Sequence, residues 1–139
     1  MQIHGSCASR DGDGVLLIGP SGAGKSDLVL RLLARGFDLV ADDCVDIEDG
    51  MARPAVSLAG LLEVRGLGIV RLPYVAAARL ALVVELCGCD RLPVPVRHGA
   101  TGLPLARIDP AAASAPERVA LALDCALGRV AQVAGAFAA

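Results

Sequence analysis

The eight residues Gly19-Pro20-Ser21-Gly22-Ala23-Gly24-Lys25-Ser26 match the pattern G-x-x-x-x-G-K-[ST] at every defined position. That spacing serves the binding of a phosphate chain. Glycines let main-chain N–H groups curl inward around phosphate oxygens, and a side chain at Gly24 would obstruct them. A helix opening behind the loop aims its positive end at the same anion. Lys25 reaches the β- and γ-phosphates, and the Ser26 hydroxyl is a magnesium ligand. Of the 13 Lys and Arg residues only Lys25 is a lysine, so the single compact ammonium group stands where phosphate chemistry wants one.

Phosphoryl transfer also needs further metal ligands and a group that handles the proton of the nucleophile. Asp42, Asp43 and Glu63 are the candidate carboxylates. Adjacent side chains on a strand point to opposite faces, so Asp42 and Asp43 reach one site only if a strand ends there and the backbone turns. Glu63 and Arg65 share one face of a strand, and by spacing alone they read equally as a solvated ion pair or as site residues. Gly66 and Gly68 immediately after them argue for a close backbone approach.

The elements that must position these groups alternate between strand and helix at first. Residues 3–8 read as a strand, Asp11-Gly12-Asp13-Gly14 as hairpin chemistry, and Val15-Leu16-Leu17-Ile18 as a buried strand too short for a helix. Residues 26–35 carry helical spacing, with Gly36 as the carboxy-terminal cap. Residues 37–41 form a strand that delivers Asp42-Asp43 at its end. A hairpin around Asp49-Gly50 follows, then a mostly apolar stretch over 61–72 and strands over 79–86 and 102–108. The closing helix is expected over 114–133, with Ser114 as its cap, Pro116 in the first turn and Glu117 at the capping-box position. Alternation early and hairpins late predict an α/β domain with a mixed sheet flanked by helices.

A length of 139 residues fits one domain over 1–139, and 55% hydrophobic with 20% charged residues argues against disorder. A net charge of -2 and an aromatic content of 2% argue against a nucleic-acid partner, which wants basic patches and stacking platforms. No apolar run nears the roughly 20 residues needed to span a bilayer. The start of the chain has no basic region leading into an apolar stretch, so a secretory signal is not expected and the cytoplasm is the expected compartment. The cysteines Cys7, Cys44, Cys87, Cys89 and Cys125 include no C-x-x-C pair and read as reduced structural thiols. The apolar surplus makes self-association plausible.

Four blocks give the chain a wider resemblance: His4-Gly5, the Gly19 to Ser26 loop, Leu39-Val40-Ala41-Asp42-Asp43-Cys44-Val45, and Leu62-Glu63-Val64-Arg65-Gly66-Leu67-Gly68-Ile69. In order and spacing they resemble the catalytic domain of the HPr kinase/phosphorylase family, whose members phosphorylate a serine of the phosphocarrier protein HPr. The resemblance covers roughly residues 2–130 and weakens after about residue 75. It implies a phosphate-loop fold of the phosphoenolpyruvate carboxykinase-like type, ATP and Mg²⁺ as cofactors, and an HPr-like phosphocarrier of the phosphotransferase system as partner. It implies His4 as the catalytic histidine, Lys25 as the phosphate-binding lysine, Ser26 and Glu63 as magnesium ligands, and Asp43 as the general base. Asp42 falls near the metal through water, and Arg91, in Asp90-Arg91-Leu92-Pro93, matches the catalytic arginine.

The resemblance also implies homo-oligomers, hexamers in the family. Three departures stand beside it. The family's amino-terminal regulatory domain has no counterpart in these residues, so either a short single-domain form or a piece cut from a longer chain is expected. The basic Pro-Gly-Arg-Asn segment tied to dephosphorylation is replaced by Ile108-Asp109-Pro110-Ala111-Ala112-Ala113, which speaks against a phosphorylase reaction. The carboxy-terminal helix is short and apolar. Two other functions stay open on the sequence: a non-catalytic nucleotide-binding regulatory module, and a kinase of the same fold acting on another serine or a small molecule.

Overall fold

The computed structural model describes residues 1–138. Eleven strands and two α-helices follow in order. They are β1 (Gln2–His4), β2 (Ser6–Arg10), β3 (Asp13–Ile18), α1 (Lys25–Leu33), β4 (Asp38–Ala41), β5 (Cys44–Glu48), β6 (Met51–Pro54), β7 (Leu61–Val64), β8 (Gly68–Arg71), β9 (Ala78–Leu86), β10 (Val96–Arg97), β11 (Pro104–Ile108) and α2 (Ala115–Ala126). Nine strands share one mixed sheet in the order β1-β5-β6-β9-β3-β2-β4, with β11 added parallel to β9 and β10 antiparallel to β11. The β7–β8 hairpin forms its own two-stranded sheet. The expected mixed α/β architecture is the one observed. No helix among the described residues is long and apolar enough to cross a membrane.

Local chemistry explains the connections. Asp11-Gly12 joins β2 to β3 with φ 52 and 85, and Asp49-Gly50 joins β5 to β6 with φ 53 and 76. Two successive positive φ angles belong to the tight hairpin turn that suits the twist of the flanking strands. Gly36 (φ 88) ends α1, and the N–H of Phe37 returns to the carbonyl of Leu32 at 3.2 Å.

Four expectations need correction. Residues 3–8 form two strands, because the chain breaks at Gly5. A Cβ there would lie 2.6 Å from the carbonyl oxygen of Leu17, so only glycine lets β2 lie this close to β3. β1 turns away to pair with β5, while β2 pairs with β3 and β4. The closing helix stops at Ala126 rather than near residue 133. Gly128 adopts φ 74, and the N–H groups of Gly128 and Arg129 return to the carbonyls of Cys125 and Asp124 at 3.1 and 2.9 Å. This glycine-dependent motif consumes the last free carbonyls. Ser114 sits at the helix start but does not cap it, since its Oγ accepts from Arg118 Nε at 2.9 Å. Glu117 leaves the capping box to pair with Arg35 at 3.0 Å, tying α2 to the end of α1.

The central strands are covered on both faces. Ala8, Val15, Leu17, Leu82 and Val84 face α1 and α2, meeting Leu28, Val29, Leu32, Val119 and Leu123. Cys7, Leu16 and Val83 face the other way, toward Val40, Val45, Ile47 and Ala52 of the curled outer strands. This alternation fixes the register, and with it the end of β3 from which the phosphate loop springs. All five cysteines are free, and burial pushes the Cys7 thiol up to about 12.

Two measurements test this packing. Gly5→Ala is expected to lower the unfolding free energy by about 1–3 kcal/mol, read as a reduced denaturant midpoint; an unchanged midpoint contradicts the close approach of β2 to β3. Alkylation of the native protein near pH 8 is expected to modify exposed Cys89 and spare Cys7, whose thiolate is absent at that pH.

Candidate active site

β3 delivers the loop and α1 receives it. Gly24 takes φ 105 at the helix start, a conformation a side chain resists, and its Cα faces Pro110, whose Cβ lies 3.6 Å from where a Gly24 Cβ would stand. The Lys25 side chain is buried, and its Nζ donates to the carbonyls of Gly19 and Pro20 at 2.7 and 2.9 Å. An ammonium group has three donors, so one remains for a phosphate oxygen. Ser21, Gly22, Gly24, Lys25 and Ser26 line a cavity of about 400 Å³, while Gly19, Pro20 and Ala23 stand outside its lining and shape the loop behind it.

The acidic pair arrives as the sequence required. β4 stops at Ala41, and the N–H of Cys44 bonds the carbonyl of Asp42 at 2.8 Å, closing a three-residue turn. Asp43 at its centre has φ 69, an uncommon backbone state that aspartate tolerates better than most residues. The turn sends the two carboxylates to different tasks. Asp42 is buried and accepts from Ser26 Oγ at 2.8 and 2.9 Å, from Ser6 Oγ at 2.7 Å and from the Glu63 N–H at 3.3 Å. Asp43 remains exposed, with Oδ1 3.6 Å from Nδ1 of His4. His4, Asp43 and Glu63 all line the same cavity as the loop.

The structure therefore brings together His4, Lys25, Ser26, Asp43 and Glu63, with Asp42 directly beneath. It does not bring Arg91 to the cavity: that residue is exposed in the segment after β9. The segment nevertheless begins beside the loop, since Leu86 Cβ lies 3.5 Å from where a Gly19 Cβ would stand. The arginine that does line the cavity is Arg65, which forms no ion pair with Glu63. Ser6 is a second residue that sequence reasoning missed. Its only sequence signal was its place after His4-Gly5.

Among the described residues no three His, Cys, Asp or Glu side chains form a ready-made metal cage. The donors present are oxygens: the Ser26 hydroxyl and the carboxylates of Asp42 and Glu63. A small hard cation that keeps several waters and binds substrate phosphates suits such a set. The buried Asp42 carboxylate has no Lys or Arg in ion-pair contact among the described residues, which leaves negative charge for a cation to meet. The residues fit Mg²⁺.

The family model described as "HPr Serine kinase C-terminal domain" matches residues 1–86. The chain belongs to this family. It is 44% identical over 96 residues to the HPr kinase/phosphorylase of Geobacillus kaustophilus, covering 60% of this chain and 31% of that protein. It is 52% identical over 73 residues to the HPr kinase/phosphorylase of Bacillus pumilus, covering 49% and 24%. The chain thus spans about a third or less of the length of these relatives. The Hpr(Ser) kinase/phosphatase of Coxiella burnetii shares the fold, with a TM-score of 0.75, 24% identity and coverage of 93% and 92% of the two chains. Arg91 lies beyond the residues that the family model matches, as do β10, β11 and α2.

One experiment probes the cradle itself. Lys25→Ala is expected to weaken ATP binding and to cut turnover by about a hundred-fold or more, followed by calorimetry and phosphate transfer; unchanged ATP affinity contradicts the loop assignment.

Proposed function

We propose that this domain is an ATP- and Mg²⁺-dependent kinase that phosphorylates a seryl residue of an HPr-like phosphocarrier protein of the phosphotransferase system. The observation that carries this reading is the division of Asp42 and Asp43 across one cavity. One carboxylate lies beneath the phosphate loop, and the other stands free beside His4 at the open side.

In this mechanism the loop N–H groups and the Lys25 ammonium hold the phosphate chain of ATP. Ser26 and Glu63, with Asp42 through water, would hold Mg²⁺, whose charge offsets that of the phosphates when bound. Asp43 accepts the proton of the incoming serine hydroxyl as its oxygen attacks the γ-phosphorus and the bond to the β-phosphate oxygen breaks. His4, 3.6 Å from Asp43, fixes the direction of that carboxylate. Lys25 and Arg65 offset charge at the cavity, and Arg91 is assigned the same task from the neighbouring segment.

The reading includes the forward reaction without the phosphorylase reaction. The segment from Asp109 to Ala113 carries no basic side chain, and Arg31 clamps its carbonyls of Pro110 and Ala112 at 2.7 and 2.9 Å. It also includes a homo-oligomer, hexameric by family likeness, and exposed Leu67, Ile69 and Val94 support self-association.

Incubation of candidate phosphocarriers with the protein, Mg²⁺ and ATP is expected to yield phosphoserine by mass spectrometry. Asparagine tolerates φ near 69°, so Asp43→Asn keeps the turn while removing the base. It is expected to lower transfer by about a hundred-fold or more while nucleotide affinity is retained. Nucleotide binding with no phosphoserine on any candidate favours a regulatory module instead. Arg65→Ala and Arg91→Ala, compared under saturating ATP, decide which guanidinium acts on the transferring group.

A further inference from the structure

Ser6 is fully buried on β2, and its partner across the ladder is Leu17, which faces α1. Paired residues of antiparallel strands share a face, so Ser6 points toward the phosphate-loop side of the sheet. Its position is tightly determined. The Gly5 N–H bonds the Asp43 carbonyl at 3.1 Å, and the missing Gly5 side chain lets the strand lie against Leu17. The Ser6 hydroxyl donates to Asp42 Oδ1 at 2.7 Å, the oxygen that also accepts from Ser26 at 2.8 Å.

We propose that Ser6 is a positioning residue for the metal–phosphate end of the site, acting on Ser26 through Asp42. Asp42 accepts the Ser26 hydroxyl's hydrogen bond on its two oxygens and thereby leaves the lone pairs of Ser26 Oγ for a cation. A carboxylate held only by Ser26 and the Glu63 N–H could rotate about its terminal torsion, which is broad and two-fold. Ser6 stops that rotation from the far side. It touches neither phosphate nor metal, and its effect is confined to the cation. The inference rests on the kinase reading above.

The test compares Ser6→Ala with Ser9→Ala. Ser9 is equally buried on the same strand but its hydroxyl has no partner, so loss of that hydroxyl alters packing alone. The readout is binding of ATP, measured by calorimetry in EDTA and across a Mg²⁺ titration. Binding in EDTA depends on the loop and Lys25 and reports that each variant is folded. Ser6→Ala is expected to raise the Mg²⁺ midpoint about ten-fold, the effect of one hydrogen bond to a charged group, with EDTA affinity unchanged. Ser9→Ala is expected to change neither. If Ser6→Ala does not fold, Ser6→Cys, of near-equal size and a weak donor, replaces it with the same expectation. A wild-type Mg²⁺ midpoint in the Ser6 variant, or equal shifts in both variants, overturns the inference alone. Wild-type protein that binds no ATP overturns the kinase reading and this inference with it.

Discussion

A carboxylate taken out of water costs several kcal/mol unless donors surround it, and Asp42 is surrounded from three directions. Ser26 reaches it from the start of α1, Ser6 from β2 and the Glu63 N–H from β7. Removing any one of those elements would leave a buried charge short of partners. The same hydrogen bonds that make Asp42 tolerable therefore dock the phosphate-loop helix, the central sheet and the separate β7–β8 hairpin onto one point. Their convergence brings Glu63 and Arg65 to the cavity, although the hairpin has no ladder hydrogen bonds to the main sheet.

Strain and satisfaction are divided between neighbours in the chain. Asp42 spends its oxygens on structure, while Asp43 stands at φ 69 with a largely exposed carboxylate. A three-residue turn is a short way for consecutive side chains to leave a strand end toward one cavity, and here it takes the rarer, strained form with positive φ at its centre. Its strain is held by the Gly5 N–H on the Asp43 carbonyl, so the break between β1 and β2 also steadies the turn. His4 lies one residue from that break, which explains how a residue so near the start of the chain reaches the cavity.

Much of this was legible from residue types. Asp-Gly pairs announced both hairpins, the glycine loop announced its strand and helix, and the apolar runs announced the covered sheet. The Asp42-Asp43 reading carried its own condition, a turn at the strand end, and the turn is there. What the sequence concealed were contacts decided between distant segments. Nothing local distinguishes Ser6 from an ordinary strand serine, since its meaning comes from Asp42, 36 positions away. Likewise spacing alone left Glu63 and Arg65 equally open to a solvated ion pair and to site residues on one strand face. β7 ends at Val64, so Arg65 belongs to the turn and escapes that face. The long closing helix failed for a local reason, because apolar periodicity continued past a glycine whose φ of 74 no helix accommodates. Arg91 lies outside the cavity lining, in a segment between β9 and β10 whose lack of ladder pairing gives no register from which its place could be read.

The solitary lysine shows how backbone geometry can override composition. Twelve arginines supply every other cationic side chain. An arginine at position 25 would bring five donors in a rigid plane, too broad to settle between two carbonyls of one tight loop. Lys25 instead places a point charge against the Gly19 and Pro20 carbonyls, 2.7 and 2.9 Å away, and turns its last donor outward. Those two bonds hold the ammonium ready before any phosphate arrives. The ordering cost of a long side chain is then met within the folded protein rather than at the moment of binding. In the proposed reaction a phosphate oxygen would meet a donor already held in place, beside a carboxylate-bound hydroxyl already turned, and neither would have to reorganise as charge develops on the transferring group.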